Sequence, residues 1–283
     1  MRTQSLARRL VGAILETSPG SAAGRARLKA LIALRRALVR AWDPPLLWRV
    51  GDVDLLLPLS HELPFYRHDH PLYDRPIGDV AADVGGPVVD VGANIGDTAA
   101  QIRSRTEAPI LCVEGDDRFF ALLVANAPRI GGLELEHSFV DAPAGARLER
   151  GAGTARLLPP GNSPLEGGEP VTSRSLARIL EKHPAFAAPT LVKIDTDGMD
   201  VPIVLANLDL LARKRPVLFF EYDPHLGATP DVFERLREIG YGRMDVYENT
   251  GELARTVELP GGIDDEYSGH GGARYADVCV WPL

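Results

Sequence analysis

The chain has 283 residues, of which 45% are hydrophobic and 25% charged, and its formal net charge is −8. This is the composition of a globular protein that can bury a core without disulfides, so fibrous, collagen-like and disordered classes are excluded. No apolar run approaches the ~18 residues that a membrane-spanning helix requires.

The charge is unevenly distributed along the chain. Residues 1–49 contain ten basic and two acidic side chains, a net charge of +8, whereas the remaining chain carries −16. Because an acidic body repels phosphates, no nucleic-acid partner is expected.

Within residues 1–49, apolar residues at helical spacing predict two helices, over 4–17 and 24–42. We expect them to pack on the body or on a second copy in a homodimer, with peripheral contact to an anionic membrane surface as the alternative.

The two cysteines, Cys112 and Cys279, each lie inside a short apolar run. Buried free thiols are typical of such runs, and no disulfide framework is indicated. The N-terminal apolar stretch LVGAIL ends before Glu16 and is too short for an export signal. A reducing, cytoplasmic setting is therefore the expectation.

The next part of the chain changes from helical to extended patterning. Residues 46–59 predict two strands with Gly51-Asp52 as a hairpin turn. Residues 61–76 are dense in proline, aromatic residues and histidine and are expected to form a loop or cap. The residues proposed to close this cap over a ligand are Tyr66, Tyr73 and Asp74.

After 86, short apolar runs alternate with helical patterns. The predicted strands are 88–91, 110–114, 133–140, 191–195 and 217–221, followed by RMDVYEN and YADVCVWPL, and the predicted helices end near 105, 126, 213 and 239. The alternation predicts an α/β fold with a parallel sheet covered on both faces. Glycine-rich loops over 143–172 and 261–272 are expected to form either a binding mouth or variable surface insertions. The expected organisation is a basic extension (1–49), a hairpin and cap (50–85) and a main α/β domain (86–283).

The decapeptide VVDVGANIGD at 88–97 joins a buried strand to a helix through a glycine turn. Glycines let the backbone approach a ligand closely, and a helix N-terminus offers free amide donors, so a nucleotide-type cofactor is indicated. The dinucleotide fingerprint G-x-G-x-x-G does not fit in any register. Asp90 is expected to point a carboxylate into the turn, where it would repel a pyrophosphate and attract a cation. The sulfonium and ammonium of S-adenosylmethionine satisfy that charge pattern.

Two further acids follow the second and third strands. Glu114 lies 22 positions beyond Gly92, a spacing that suits hydrogen bonds from ribose hydroxyls in either cofactor class. Asp141 is expected either to receive the adenine amino group or to be an ordinary turn residue.

Five ordered motifs carry a family resemblance. VVDVGANIGDTA, CVEGDDRFFALLVAN, SLARIL, LVKIDTDGMDVPIVLANLDLL and PVLFFEYDP together resemble the FkbM family of S-adenosylmethionine-dependent methyltransferases over roughly residues 65–225. The resemblance implies a Rossmann-like class I fold, with a seven-stranded sheet whose last strand is antiparallel. It also implies O-methylation of a hydroxyl on a sugar, glycan or polyketide-type natural product. The family often has K-I-D-x-E-G-x-E where this chain has shorter acids at 197 and 200.

Position by position, the resemblance places the cofactor turn on Asp90, Gly92, Asn94 and Gly96, the ribose acid on Glu114, and a site residue on Asp195. The full set of candidate cofactor contacts is Asp90, Gly92, Ala93, Asn94, Gly96, Asp97, Glu114, Gly115, Asp141 and Asp195. Asp195 and His225 are the candidate general bases, and Glu221 is the candidate for orienting a neighbour or the acceptor.

Alternatives from other classes remain open. Asp195-Thr196-Asp197 forms a D-x-D pair that could hold a divalent metal beneath a nucleotide-sugar, which would make the protein a glycosyltransferase. A catalytically silent binding module of the same fold is the other alternative. His61, His68 and His70 could cluster around a metal, but a polar loop is the commoner outcome, so no metal site is predicted.

Overall fold

The computed structural model describes residues 2–151, 153–158, 171, 173–226, 228–248, 250–259 and 275–283, and for residues 2–5, 156 and 158 it describes the backbone only. The helices are α1 (Arg2–Leu15), α2 (Ala22–Ala41), α3 (Leu63–Asp69), α4 (Arg75–Val84), α5 (Asp97–Arg103), α6 (Asp117–Ile130), α7 (Leu176–Lys182), α8 (Asp200–Ala206), α9 (Leu208–Lys214) and α10 (Asp231–Glu238). The strands are β1 (Pro45–Val50), β2 (Val53–Pro58), β3 (Val88–Val91), β4 (Ile110–Glu114), β5 (Leu133–His137), β6 (Phe139–Val140), β7 (Arg147–Arg150), β8 (Ala155–Leu158), β9 (Ser173–Arg174), β10 (Leu191–Ile194), β11 (Val217–Tyr222), β12 (Tyr241–Glu248), β13 (Leu253–Glu258) and β14 (Ala276–Pro282).

The central sheet has the order β13-β12-β14-β11-β10-β3-β4-β5. Strands β5, β4, β3, β10 and β11 are parallel, and β14 runs antiparallel to both β11 and β12. Apart from β13, this is the order of the Rossmann-like class I methyltransferase fold, which confirms the predicted fold class. The eighth strand, β13, lies at the edge beside β12 and was absent from the sequence prediction.

The inner strands are continuous apolar runs because helices cover both faces of the sheet. Every residue of β3, β4 and β10 is buried, and so are the free thiols of Cys112 and Cys279, as predicted. Helix α6 begins where the side chain of Asp116 accepts hydrogen bonds from the amides of Arg118 and Phe119, an N-cap that satisfies donors at the helix start.

The N-terminal segment packs against the body. Helix α1 buries Ala7, Leu10, Val11 and Ile14 in the same apolar cluster as β1, β2 and one face of the central sheet. Helix α2 has no buried residue, and its apolar side chains are only partly covered. No helix of the described residues is both long and apolar enough to cross a membrane.

Three sequence predictions differ from the structure. Residues 61–76, expected as a loop or cap, contain α3 and the start of α4, because Pro64 and Pro76 occupy first-turn positions that tolerate proline. The helix expected up to 213 divides into α8 and α9 at Asn207, and the strand expected over 133–140 divides into β5 and β6.

The two glycine-rich loops are described only in part. Within 143–172, β7 and β8 form an antiparallel hairpin, and 261–272 lies outside the described residues.

One buried amide joins the N-terminal hairpin to the body. The Nδ2 atom of Asn126 donates to the carbonyls of Leu56 (3.0 Å) and Ile95 (2.9 Å), and its Oδ1 atom accepts from the Leu56 amide at 2.7 Å. This side chain therefore fixes β2, α6 and the glycine turn relative to one another.

Replacing Asn126 by Ala should lower the free energy of unfolding by about 3 kcal/mol, because it leaves buried backbone groups without partners. Urea denaturation measures this, with Val124→Ala, an exposed position on the same helix, as the control. A loss no larger than that of the control would contradict the assigned role.

Candidate functional site

A cavity opens where the parallel strands end at their carboxyl edge. It has a volume of about 380 Å³ and receives side chains that follow β3, β10 and β11. A second, narrower pocket of about 50 Å³ lies beside it, at the end of β4. The two share Gly92, Asn94, Asp195 and Asp197 in their walls. In sheets of this kind ligands bind at this edge, so the two pockets form one composite candidate site.

The glycine turn after β3 is held in a conformation that favours glycine. Gly92 and Gly96 have φ values of 78° and 90°, and Asn94 is also left-handed at 48°. A Cβ atom at Gly92 would overlap the carbonyl of Asp195. Glycine at this position therefore lets the turn touch the loop that follows β10.

Glu114 braces the turn from the next strand. Its carboxylate accepts hydrogen bonds from the amides of Asn94 (2.8 Å) and Asp116 (2.7 Å) and lines the narrower pocket. Burial raises the pKa of Glu114 to about 7. The structure thus places this predicted ribose acid at the mouth of the narrower pocket, with a structural role that the sequence did not reveal.

Aromatic and aliphatic side chains form part of the wall of the narrower pocket. Its apolar lining includes Val113, Phe119, Phe139, Val140, Leu157, Met199 and Ile203. Phe139 can close over the end of β4 because residue 115 is glycine, and a Cβ atom there would overlap the Phe139 ring. Ser138 and Phe139 are thus pocket residues that sequence reasoning missed.

Asp141 does not line either pocket. Its carboxylate accepts a hydrogen bond from Nδ2 of Asn207 at 2.8 Å. It therefore braces the junction of α8 and α9, and its predicted contact with adenine stays a prediction.

The expectation that Asp90 points into the turn is wrong. Its carboxylate is fully buried and does not line either pocket, because Lys193 lies directly opposite on β10. The Nζ atom of Lys193 is 3.0 Å from Asp90 and 3.4 Å from Asp195, and it donates to the Gly92 carbonyl at 3.3 Å. Asp90 therefore does not face the site itself; it contacts Lys193, and Lys193 lines the larger cavity.

The loop after β10 places Asp195 in the walls of both pockets. Asp200 holds this loop, accepting hydrogen bonds from the amides of Thr196 and Gly198, each at 3.1 Å. Burial, with the nearby Asp195, raises the pKa of Asp200 to about 7. Asp200, the last acid of the segment KIDTDGMD, thus positions the loop that follows β10.

The segment 61–76 covers the larger cavity. Tyr66, Tyr73 and Asp74 line it, and the two tyrosine rings meet edge to face with centroids 4.6 Å apart. Their placement fits the proposed cap, whose effect on a ligand stays a prediction.

The three histidines of the same segment do not share one environment. His61 is buried and its Nδ1 atom accepts from the Leu63 amide, whereas His68 is exposed and pairs with Asp69. Among the residues that the structure describes, no group of three histidine, cysteine or acidic side chains is arranged to hold a metal.

Glu221 and Asp277 form the wall furthest along the sheet. They are directly opposite each other on the antiparallel pair β11 and β14. Burial and neighbouring carboxylates raise the pKa of Glu221 to about 10 and that of Asp277 to about 8. Asp277 was missed because it follows a long loop and matches no motif.

His225, the other candidate base, is exposed and does not line the larger cavity. Its backbone amide donates to Asp223 at 2.8 Å. The structure thus brings Asp195 and Glu221 together at the cavity but not His225.

No protein-family model and no curated protein matches the chain. Solved structures match it at low identity. The METTL16 methyltransferase domain is 10% identical with a TM-score of 0.48, covering 98% of this chain and 91% of that one. A TehB-like SAM-dependent methyltransferase from Corynebacterium glutamicum is 10% identical with a TM-score of 0.41, covering 92% and 100%. Precorrin-6y C5,15-methyltransferase from Geobacter metallireducens is 12% identical with a TM-score of 0.39, covering 74% and 86%.

The raised acid pKa values predict how stability depends on pH. A carboxyl whose pKa rises on folding takes up a proton as the chain folds, so the free energy of unfolding falls as pH increases from the unfolded pKa to the folded one. For Asp277 that window runs from about 4 to about 8, with a slope of at most about 1.4 kcal/mol per pH unit.

Asp277→Asn should therefore flatten the decline in unfolding free energy between about pH 5.5 and about pH 8. Urea denaturation at these two pH values measures the change in unfolding free energy, with Glu238→Gln, at an exposed position, as the control. Parallel curves for Asp277→Asn and the unmodified protein would contradict the assigned environment.

Proposed function

We propose that this protein is an S-adenosylmethionine-dependent O-methyltransferase of FkbM type that acts on a hydroxyl of a sugar, glycan or polyketide-type natural product. The observation that carries the proposal is the meeting, at one glycine turn, of a narrow pocket with aromatic and aliphatic side chains and a larger cavity with several carboxyls, through Gly92, Asn94 and Asp195. A cofactor with a flat aromatic base at one end, and an ammonium, a sulfonium and one carboxylate at the other, matches that division because the second end has a net positive charge.

The residues present fit this cofactor. The apolar pocket beneath Phe139 suits adenine, and the carboxylate of Glu114 retains lone pairs for ribose hydroxyls. Asp97 and Asp195 line the cavity beside the turn and suit the ammonium and sulfonium. When bound, S-adenosylmethionine supplies a methyl group that its sulfonium has already activated.

The contribution of the chain is then position and proton transfer. Holding a hydroxyl in line with the methyl group is worth up to about 7–11 kcal/mol in model reactions. Asp195, which borders both pockets beside Lys193, is the proposed acceptor of the hydroxyl proton. With a pKa of about 10, Glu221 is protonated at neutral pH in the cofactor-free cavity, where it can orient a hydroxyl by donating a hydrogen bond.

Isothermal titration calorimetry with S-adenosylmethionine, S-adenosylhomocysteine and NAD, with and without magnesium, tests the cofactor. We expect micromolar binding of both sulfur compounds, independent of magnesium, and none of NAD. Binding of a nucleotide-sugar with manganese, without binding of the sulfur compounds, would instead assign the glycosyltransferase alternative.

Glu114→Gln should weaken S-adenosylhomocysteine binding by about 10- to 100-fold. Both carboxylate oxygens of Glu114 accept hydrogen bonds from backbone amides, and glutamine replaces one of these oxygens with an NH₂ group that can only donate. The matched control is Glu107→Gln, at an exposed acid that precedes β4. This variant should bind S-adenosylhomocysteine with the affinity of the unmodified protein. Equal affinity in both variants would contradict the role of Glu114.

A further inference from the structure

The larger cavity holds more carboxyl groups than a single cofactor would contact. Beyond Asp97 and Asp195 at the glycine turn, it is lined by Asp74, Glu221 and Asp277. The sheet order places β11 and β14 beyond β10, on the side away from the turn. Glu221 and Asp277 therefore line the part of the cavity away from the turn, and Asp74 lines the same cavity; these three carboxyls are here called the distal acids.

Two of the distal acids face each other without an ion-pair partner among the described residues. Glu221 and Asp277 are register partners on β11 and β14, where two ionised carboxylates would repel each other. No basic side chain of the described residues forms an ion pair with either one.

Asp74 supplies an independent observation. Its Oδ2 atom is buried, makes no hydrogen bond within the described residues, and belongs to a side chain in the cavity wall. Its backbone is left-handed, with φ of 59°, a costly conformation for a residue other than glycine. A buried carboxylate oxygen without a partner is satisfied when a ligand donates to it.

The lysine of the cavity cannot supply that donation. Lys193 is 3.0 Å from Asp90 and 3.4 Å from Asp195, so its charge is already divided between two carboxylates on its own side of the cavity. A cation that forms an ion pair with the distal acids would therefore come from a ligand.

The remaining walls suit an organic cation. Tyr66, Tyr73, Phe219 and Tyr275 line the same cavity, and aromatic faces attract ammonium groups. The described residues contain no trio of potential ligands with metal-binding geometry, which favours an ammonium over a metal ion.

We propose that the acceptor carries a protonated amine, which Asp74, Glu221 and Asp277 recognise while a hydroxyl of the same molecule faces Asp195. This inference rests on the proposed methyltransferase function and names the class of its acceptor, an amino alcohol or amino sugar.

Calorimetry on the protein saturated with S-adenosylhomocysteine tests the inference with two matched pairs of probes, glucosamine with N-acetylglucosamine and cyclohexylamine with cyclohexanol. Each amine should bind at least about tenfold more tightly than its neutral partner. Because the ammonium returns a protonated distal acid to its charged form, amine binding should also release about one proton, seen as a dependence of the heat on buffer ionisation.

Glu221→Gln and Asp277→Asn should each remove most of the preference for the amine while keeping S-adenosylhomocysteine affinity within about threefold. Glu238→Gln, the same substitution at an exposed position, should keep the preference. Equal binding of amine and neutral probes, no binding of either amine, or an unchanged preference in both cavity variants would overturn the inference.

The experiments distinguish an incorrect acceptor class from an incorrect proposed function. If the unmodified protein does not bind S-adenosylhomocysteine, the proposed function itself is overturned. Binding of magnesium or manganese that disappears in Glu221→Gln would assign the distal acids to a metal and overturn only the acceptor class.

Discussion

The buried ion pair between Asp90 and Lys193 is the interaction on which the site depends. The two residues are register neighbours on the parallel strands β3 and β10, and both side chains are almost entirely removed from water. Removing one partner of such a pair leaves an uncompensated buried charge, at a cost of about 3–5 kcal/mol. Since Lys193 also donates to the Gly92 carbonyl and lies beside Asp195, the pair joins the glycine turn to the loop that follows β10.

That arrangement determines the charge of the cavity. Lys193 pairs with Asp90 and Asp195, and the carboxyls further along the sheet form no ion pair within the described residues. Their raised pKa values express the cost of this arrangement, which lowers stability above about pH 5 in exchange for a site that attracts cations. An apolar pair at 221 and 277 would avoid this cost.

The part of the site that local pattern determines could be predicted from the sequence. Continuous apolar runs identified β3, β4, β10 and β11, and the residues at their carboxyl ends, Gly92, Glu114, Asp195 and Glu221, line the pockets as parallel-sheet geometry requires. The direction of the Asp90 side chain could not be predicted in the same way. It depends on which strand lies beside β3, and β10 is about a hundred residues away along the chain.

The proposed cofactor side and the proposed acceptor side of the site are formed by differently distributed parts of the sequence. The cofactor side is made by β3, β4 and β10 with the turns that directly follow them, so short motifs carry it. The acceptor side joins Asp74, before α4, to Asp277, on the last strand, and only the order of the whole sheet brings them to one cavity. Asp277 can change without disturbing the glycine turn, because its register partners lie on β11 and β12 rather than β3. The physical separation of the two sides therefore allows one cofactor site to serve acceptors of different charge, and the carboxyl pair at 221 and 277 is where this chain would set that choice.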